Sequence, residues 1–390
     1  MAITVTEFPA VVIDVDGLDR LIGVLAARGW EVLGPTERDG AVVSGPVSGV
    51  ADLPRGVGDE QRPSRYRLTR REDDALFGFA SPATSWKPVL FPPRQLLWRG
   101  TRRDGGFDLD RPSDPLPARA LLGVRSCDLA AIGVQDRVLD QRWGNRPAQD
   151  ADYAAARSRV FIIAVTCGSP GGTCFCASTG TGPEPSAGFD LSLTEVLDAD
   201  VHEFVVRVGT DAGAQVLADV PSRPAEPDDL QAAAAVVSHA VRHMGRSLGT
   251  AGLPALLDDE VEHPQWEAVA RRCLACGNCT AVCPTCFCTC VEDVTDLTGQ
   301  STQRWRVWDS CFTANFSYVH GGPVRASTAS RYRQWLTHKL GTWHAQFDTA
   351  GCVGCGRCLT WCPVGIDITA EAAALRSTAR TPSRPPEDTP

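Results

Sequence analysis

The sequence has almost no lysine: of its 38 basic residues only Lys87 and Lys339 are lysines, and the rest are arginine. Such a bias follows from a GC-rich genome and by itself points to no chemistry. Positive charge is in deficit overall. The formal net charge of −9 argues against nucleic acid as a partner, because phosphate binding calls for a basic face. No run approaches the ~18 consecutive apolar residues of a membrane span, and the opening MAITVTEFPA has neither the basic nor the apolar region of a signal peptide. The expected location is therefore the cytoplasm, with no membrane partner. Cofactor motifs are missing too. There is no GxGxxG after a strand, no GxxxxGK[ST] loop, no CxxCH haem site and no GxSxG elbow. A chain without these is not expected to catalyse alone, and no catalytic residue is assigned.

Cysteine, by contrast, is abundant, with 16 in 390 residues. A reducing cytosol does not maintain disulfides, so the count points to metal ligands. The pattern is specific. CLACGNCTAVCP from Cys273 and CVGCGRCLTWCP from Cys352 both read CxxCxxCxxxCP, the spacing that holds a [4Fe-4S] cluster. Three cysteines two residues apart can wrap a small cubane with backbone amides turned toward its sulfurs, and the fourth points away. In two-cluster ferredoxins that fourth cysteine ligates the other cluster. The expected ligand sets are thus Cys273, Cys276, Cys279 and Cys362 for one cluster, and Cys352, Cys355, Cys358 and Cys283 for the second. The bland alternative is a structural zinc-binding interaction protein, since CxxC pairs also serve tetrahedral zinc. Zinc needs only four ligands, however, and each block supplies four at the iron-sulfur spacing.

Sixteen cysteines less the eight in these motifs leaves eight. Residues 119–167 read as a βαβ pattern: a buried strand at 120–124, helices over 128–139 and 152–159, and a buried strand at 160–165. Parallel neighbours would bring Cys127 and Cys167, which follow the two strands, to one sheet edge. A Gly-rich loop then leads to Cys174 and Cys176 in TCFC. These four are a candidate third iron-sulfur site, against the alternative of inert buried thiols. TCFC recurs at 285–288. Cys286, Cys288 and Cys311 form a weaker candidate set, which can equally brace the neighbouring cluster by packing and S–H contacts. Cys290 is either part of that set or spare. Arg271, Arg272 and Arg357 flank the motifs and could offset cluster charge or simply be surface residues. His239 and His243 stand one helical turn apart with no third ligand nearby, as on a solvated helix face.

The expected fold is α+β with two domains. An α/β domain with a mixed or parallel sheet spans 1–225, and a mostly helical dicluster domain, ferredoxin-like in its clusters, spans 230–375. The Pro-rich stretch 221–229 marks the boundary, and the polar tail 376–390 reads as disordered. In the first hundred residues the pattern gives a helix from Leu18 to Arg28 and strands near Val32, 41–47, 66–68 and 76–79. Residues 284–351 read mainly as helix and loop, which favours a helical domain over the compact β-sheet ferredoxin.

CGNCTAVCPTCFC, WDSCF at 308–312, RYRQWLTHK and CVGCGRCLTWCPVGIDI, with GVRSCDLAAI, CFCASTG and FDLSL upstream, resemble the β subunits of cytoplasmic NAD(P)-linked [NiFe] hydrogenases of the sulfhydrogenase type. The resemblance spans about residues 5–370. It implies an iron-sulfur subunit carrying electrons between a flavin- and NAD(P)-binding subunit and a [NiFe] heterodimer. The similar A subunit of anaerobic sulfite reductase shares the layout and implies a sirohaem partner instead. Cys290 is the one cysteine outside that family pattern.

Overall fold

The computed structural model describes residues 8–111, 116–140, 149–198 and 201–378. Its largest element is a mixed eight-stranded sheet. In spatial order the strands are Arg223–Pro224, Val11–Asp14, Val201–Val208, Leu191–Asp198, Val160–Val165, Arg119–Arg125, Glu31–Arg38 and Ala41–Pro46. The fourth to seventh strands in this order, Leu191–Asp198 to Glu31–Arg38, are mutually parallel, and the remaining pairings are antiparallel.

Strand Val160–Val165 and the stretch 120–124 of strand Arg119–Arg125 are apolar because both faces of the sheet are covered. Ala120, Leu122, Phe161, Ile163 and Val165 join one core, with Leu18, Leu21 and Leu25 of helix Val15–Ala27. Leu121, Val124, Ile162 and Ala164 join the other, with Leu129 and Ile132 of helix Ser126–Leu139. A bulge at Gly123 (φ +83°) shifts the register, and the strand ends at Arg125. Helix Val15–Ala27 is capped by the Asp14 carboxylate, which accepts from Gly17 N at 2.7 Å.

Two expectations fail for identifiable reasons. Residues 76–79 form no strand. Their backbone groups are satisfied by side chains instead, with Leu76 N and Phe77 N donating to the Glu195 carboxylate at 2.6 and 2.9 Å. The carbonyls of Phe77 and Phe79 accept from the buried Arg125 guanidinium. Residues 284–351 are not all helix and loop. Thr289–Thr295 and Ser301–Trp308 make a hairpin that extends an antiparallel sheet with Arg94–Arg103 and Gly106–Asp110. Its β-branched residues and the turn at Asp296, whose carboxylate accepts from Thr298 N and Gln300 N, favour this.

The rest of the C-terminal half is helical. Helices Gln265–Ala270, Thr328–Thr337 and Ile368–Thr378 enclose a core of Trp266, Tyr332, Trp335, Leu336, Leu359 and Leu375. Tryptophan here fills the core and excludes water. Between helices Thr328–Thr337 and Trp343–Phe347 the chain makes one π turn, His338–Thr342. Of the tail, 376–378 closes the last helix, and residues 379–390 lie outside the described residues.

Candidate iron-sulfur centre

The two motif loops wind alike. Ala275 and Gly277 in the first, and Gly354 and Gly356 in the second, all take left-handed φ between +52° and +75°. Each loop then enters one helical turn, Asn278–Ala281 or Arg357–Thr360, before its fourth cysteine. The two short helices pack together, and the Asn278 amide donates to the Trp361 carbonyl across the pair. This crosses the fourth cysteines over. Cys362 shares one cavity with Cys273, Cys276 and Cys279, walled by Phe312, Tyr332 and Trp335, and Cys358 also reaches it. Backbone amides turn toward sulfur there: Ala275 N donates to Cys273 Sγ at 3.4 Å and Ile366 N to Cys362 Sγ at 3.3 Å.

Cys283 lies among Cys352, Cys355 and Cys358, all within electrostatic reach of one another. Burial pushes the Cys352 thiol up to about 12 and raises Cys355 and Cys358 as well. Cys283 is the exception. A hydrogen bond from Cys286 and the Lys339 ammonium hold it well below the usual thiol range.

The cysteines of the α/β half also meet. Cys127, in the first turn of helix Ser126–Leu139, and Cys167, beyond strand Val160–Val165, stand at the C-terminal edge of two parallel neighbours. With Cys174 and Cys176 they line one cavity, and Cys355 of the second motif lines it as well. Burial raises all four thiols, Cys176 to about 12. The buried Arg125 borders this cavity. Its guanidinium donates to three backbone carbonyls, and its Nε has no partner. A buried cation with an unused donor beside four thiols fits an anionic iron-sulfur group.

The halves are sewn together here. Phe175 N donates to Gly354 O at 2.8 Å, Thr181 Oγ1 to Val353 O at 2.7 Å, and Thr173 and Thr360 share a hydroxyl hydrogen bond at 2.8 Å. Gly354 has no room for a side chain, since a Cβ would sit 2.6 Å from Cys176 N and Cα. Gly354→Ala should therefore disturb the second motif and lower its iron occupancy, while Ala275→Gly, at the matching turn of the first, should leave iron content unchanged. Metal analysis of the two variants checks this.

Cys286 and Cys288 line an open cleft with Cys276, Lys87, Trp308 and Asp309, whereas Cys311 does not line it but is within electrostatic reach of Cys288 and Cys279. Cys290 is in the hairpin opposite Val307 and does not line that cleft. His239 and His243 stack at 4.0 Å on an exposed helix. Among the described residues no three His, Cys, Asp or Glu side chains converge on a single point as one metal ion requires. The thiols ring spaces instead.

Sequence reasoning passed over two features. Both lysines are buried against the segment Cys283–Cys288. Their isolation among arginines was the available signal. Arg357, read as a flanking charge, is 1% exposed and forms a bidentate pair with Asp128, 2% exposed, at 2.8 and 2.9 Å.

A family model described as a 4Fe-4S dicluster domain matches residues 272–366. The chain is 32% identical over 320 residues, 80% of its length and 90% of the relative's, to the sulfhydrogenase 2 subunit beta of Pyrococcus furiosus.

Proposed function

The chain belongs to the family of sulfhydrogenase β subunits, and on that premise we propose that it relays single electrons between a flavin- and NAD(P)-binding subunit and a [NiFe] hydrogenase module. The carrying observation is the crossover that puts Cys362 in the cavity of the first motif and Cys283 among the thiols of the second. Cys273, Cys276, Cys279 and Cys362 are then the ligands of one [4Fe-4S] cluster, and Cys352, Cys355, Cys358 and Cys283 those of another. A cubane held by four thiolates has no open iron site and supplies one-electron transfer. The residues around it exclude water, deliver N–H donors to sulfur and release the thiol protons on loading.

We assign a third iron-sulfur cluster to Cys127, Cys167, Cys174 and Cys176. Cys355 supports this, since it belongs to the second motif and also borders that cavity, so the relay continues into the α/β half. Exposed Cys276 gives the other end access to a partner. In this reading residues 1–225 are the α/β domain and 230–375 the dicluster domain, whose last helix runs on to Thr378. Among the described residues no helix is long and apolar enough to cross a membrane, and we place the working complex in the cytoplasm.

Purification of the complex tests the assignment. Hydrogen-dependent NAD(P) reduction with nickel present is the expected result. Sulfite-dependent NADH oxidation with sirohaem would overturn it. For the third cluster, a Cys174→Ser/Cys176→Ser protein should lose about four irons per chain and keep the reduced-state EPR signal of two interacting clusters.

A further inference from the structure

The only two lysines of this arginine-rich chain converge on one cysteine segment. Each is 4% exposed, and among the described residues neither ammonium pairs with a carboxylate. Lys87 sits 3.8 Å over the Trp308 ring and donates to the Cys286 carbonyl at 3.2 Å. Lys339 goes further, directing its protons to Cys283 Sγ at 3.2 Å, Thr285 Oγ1 at 3.0 Å and Gly351 O at 3.0 Å. Burying an ammonium costs several kcal/mol after relaxation, so it requires an anion nearby.

The backbone is shaped for this contact. Lys339 lies in the π turn His338–Thr342, and such turns interrupt regular helix chiefly at functional positions. A compact ammonium with three donors suits the three acceptors, which a planar guanidinium would not match. The set Cys273, Cys276, Cys279 and Cys362 receives the backbone amides of Ala275 and Ile366 on sulfur. The Arg331 guanidinium, within electrostatic reach of Cys273, donates to the Ser327, Phe312 and Ala326 carbonyls and, among the described residues, to no sulfur. Nor do the neighbouring arginines substitute. Arg272 is paired with Glu371 at 2.5 Å and Arg357 with Asp128.

We infer that Lys339 is a positioning residue that raises the reduction potential of the cluster held by Cys283, Cys352, Cys355 and Cys358 above that of the cluster held by Cys273, Cys276, Cys279 and Cys362. The inference rests on the ligand sets proposed above. Adding one electron adds one negative charge and no proton. A fixed cation hydrogen-bonded to a ligand sulfur stabilises that charge. The electron consequently rests on the inner cluster, beside the cysteines of the α/β half, and the outer cluster is the low-potential station.

The test is an EPR-monitored redox titration of the full-length protein with dithionite as reductant. Cys276→Ser protein assigns the step that belongs to the inner cluster. Lys339→Met should move that step down by a tenfold or greater change in its one-electron equilibrium, about 59 mV, and leave the outer cluster's step in place. Lys339→Arg, which keeps the charge but not the three-acceptor fit, should restore only part of the shift. Thr285→Val, which removes one acceptor holding the ammonium, should move the same step less, and it serves if the methionine variant does not load. An unmoved inner step, or equal movement of both, at full iron content overturns the inference alone. Wild-type protein without iron and sulfide overturns the ligand sets beneath it.

Discussion

Cys362→Ser protein is expected to lose the same iron as Cys276→Ser protein, although the two residues lie in different motifs. If each CxxCxxCxxxC block served its own cluster, the two substitutions would empty different sites. The structure crosses them, with Cys362 beside Cys273, Cys276 and Cys279, and Cys283 beside Cys352, Cys355 and Cys358. Each single variant should lose about four irons per chain, and the Cys276→Ser/Cys362→Ser double should lose no more than either. Cys276→Ser/Cys283→Ser should lose about eight, because the proposal places those two residues on different clusters. Iron analysis with EPR of the reduced proteins checks all four. A double loss from Cys276→Ser/Cys362→Ser would refute the crossover.

Arg357→Met should destabilise the protein by about 3–5 kcal/mol, the usual result of removing one partner of a buried ion pair. The Asp128 carboxylate, 2% exposed, would be left unpaired next to Cys127 in the chain and close to Cys355, where the proposed clusters would add negative charge. Arg357 Nε also donates to Pro82 O at 2.9 Å, so the side chain joins the second motif both to helix Ser126–Leu139 and to the loop before Lys87. In a protein whose whole stability is of the order of 5–15 kcal/mol, this loss should be visible as a large fall in the urea midpoint with little change in slope. Arg357→Met/Asp128→Leu should recover most of the loss, because no charge then remains unpaired. Anaerobic urea titration followed by far-UV circular dichroism measures both. An unchanged midpoint in the single variant would show that the pair contributes little.

The sequence was most informative where spacing has one physical meaning. CxxCxxCxxxCP fixes the order of ligands along one loop, and two copies imply the exchange of Cys283 and Cys362. The apolar runs 120–124 and 160–165 read as parallel neighbours covered on both faces, and so placed Cys127 and Cys167 at one edge. The hairpin 289–308 was not legible, because its partner is strand Arg94–Arg103, some two hundred residues earlier in the chain. The strand expected at 76–79 failed for the converse reason. Its apolar residues are buried, but Glu195 and Arg125 take the hydrogen bonds a neighbouring strand would have taken. Lys87, Lys339 and the Arg357–Asp128 pair depend on tertiary placement that no local pattern carries. Only their rarity or their position beside a cysteine marked them.

Iron, acid-labile sulfide and zinc counted together on the anaerobically purified full-length protein test the account most directly. Three clusters require about twelve irons and about twelve sulfides per chain with no stoichiometric zinc. Stoichiometric zinc without sulfide would contradict the assignment of this chain as an iron-sulfur relay.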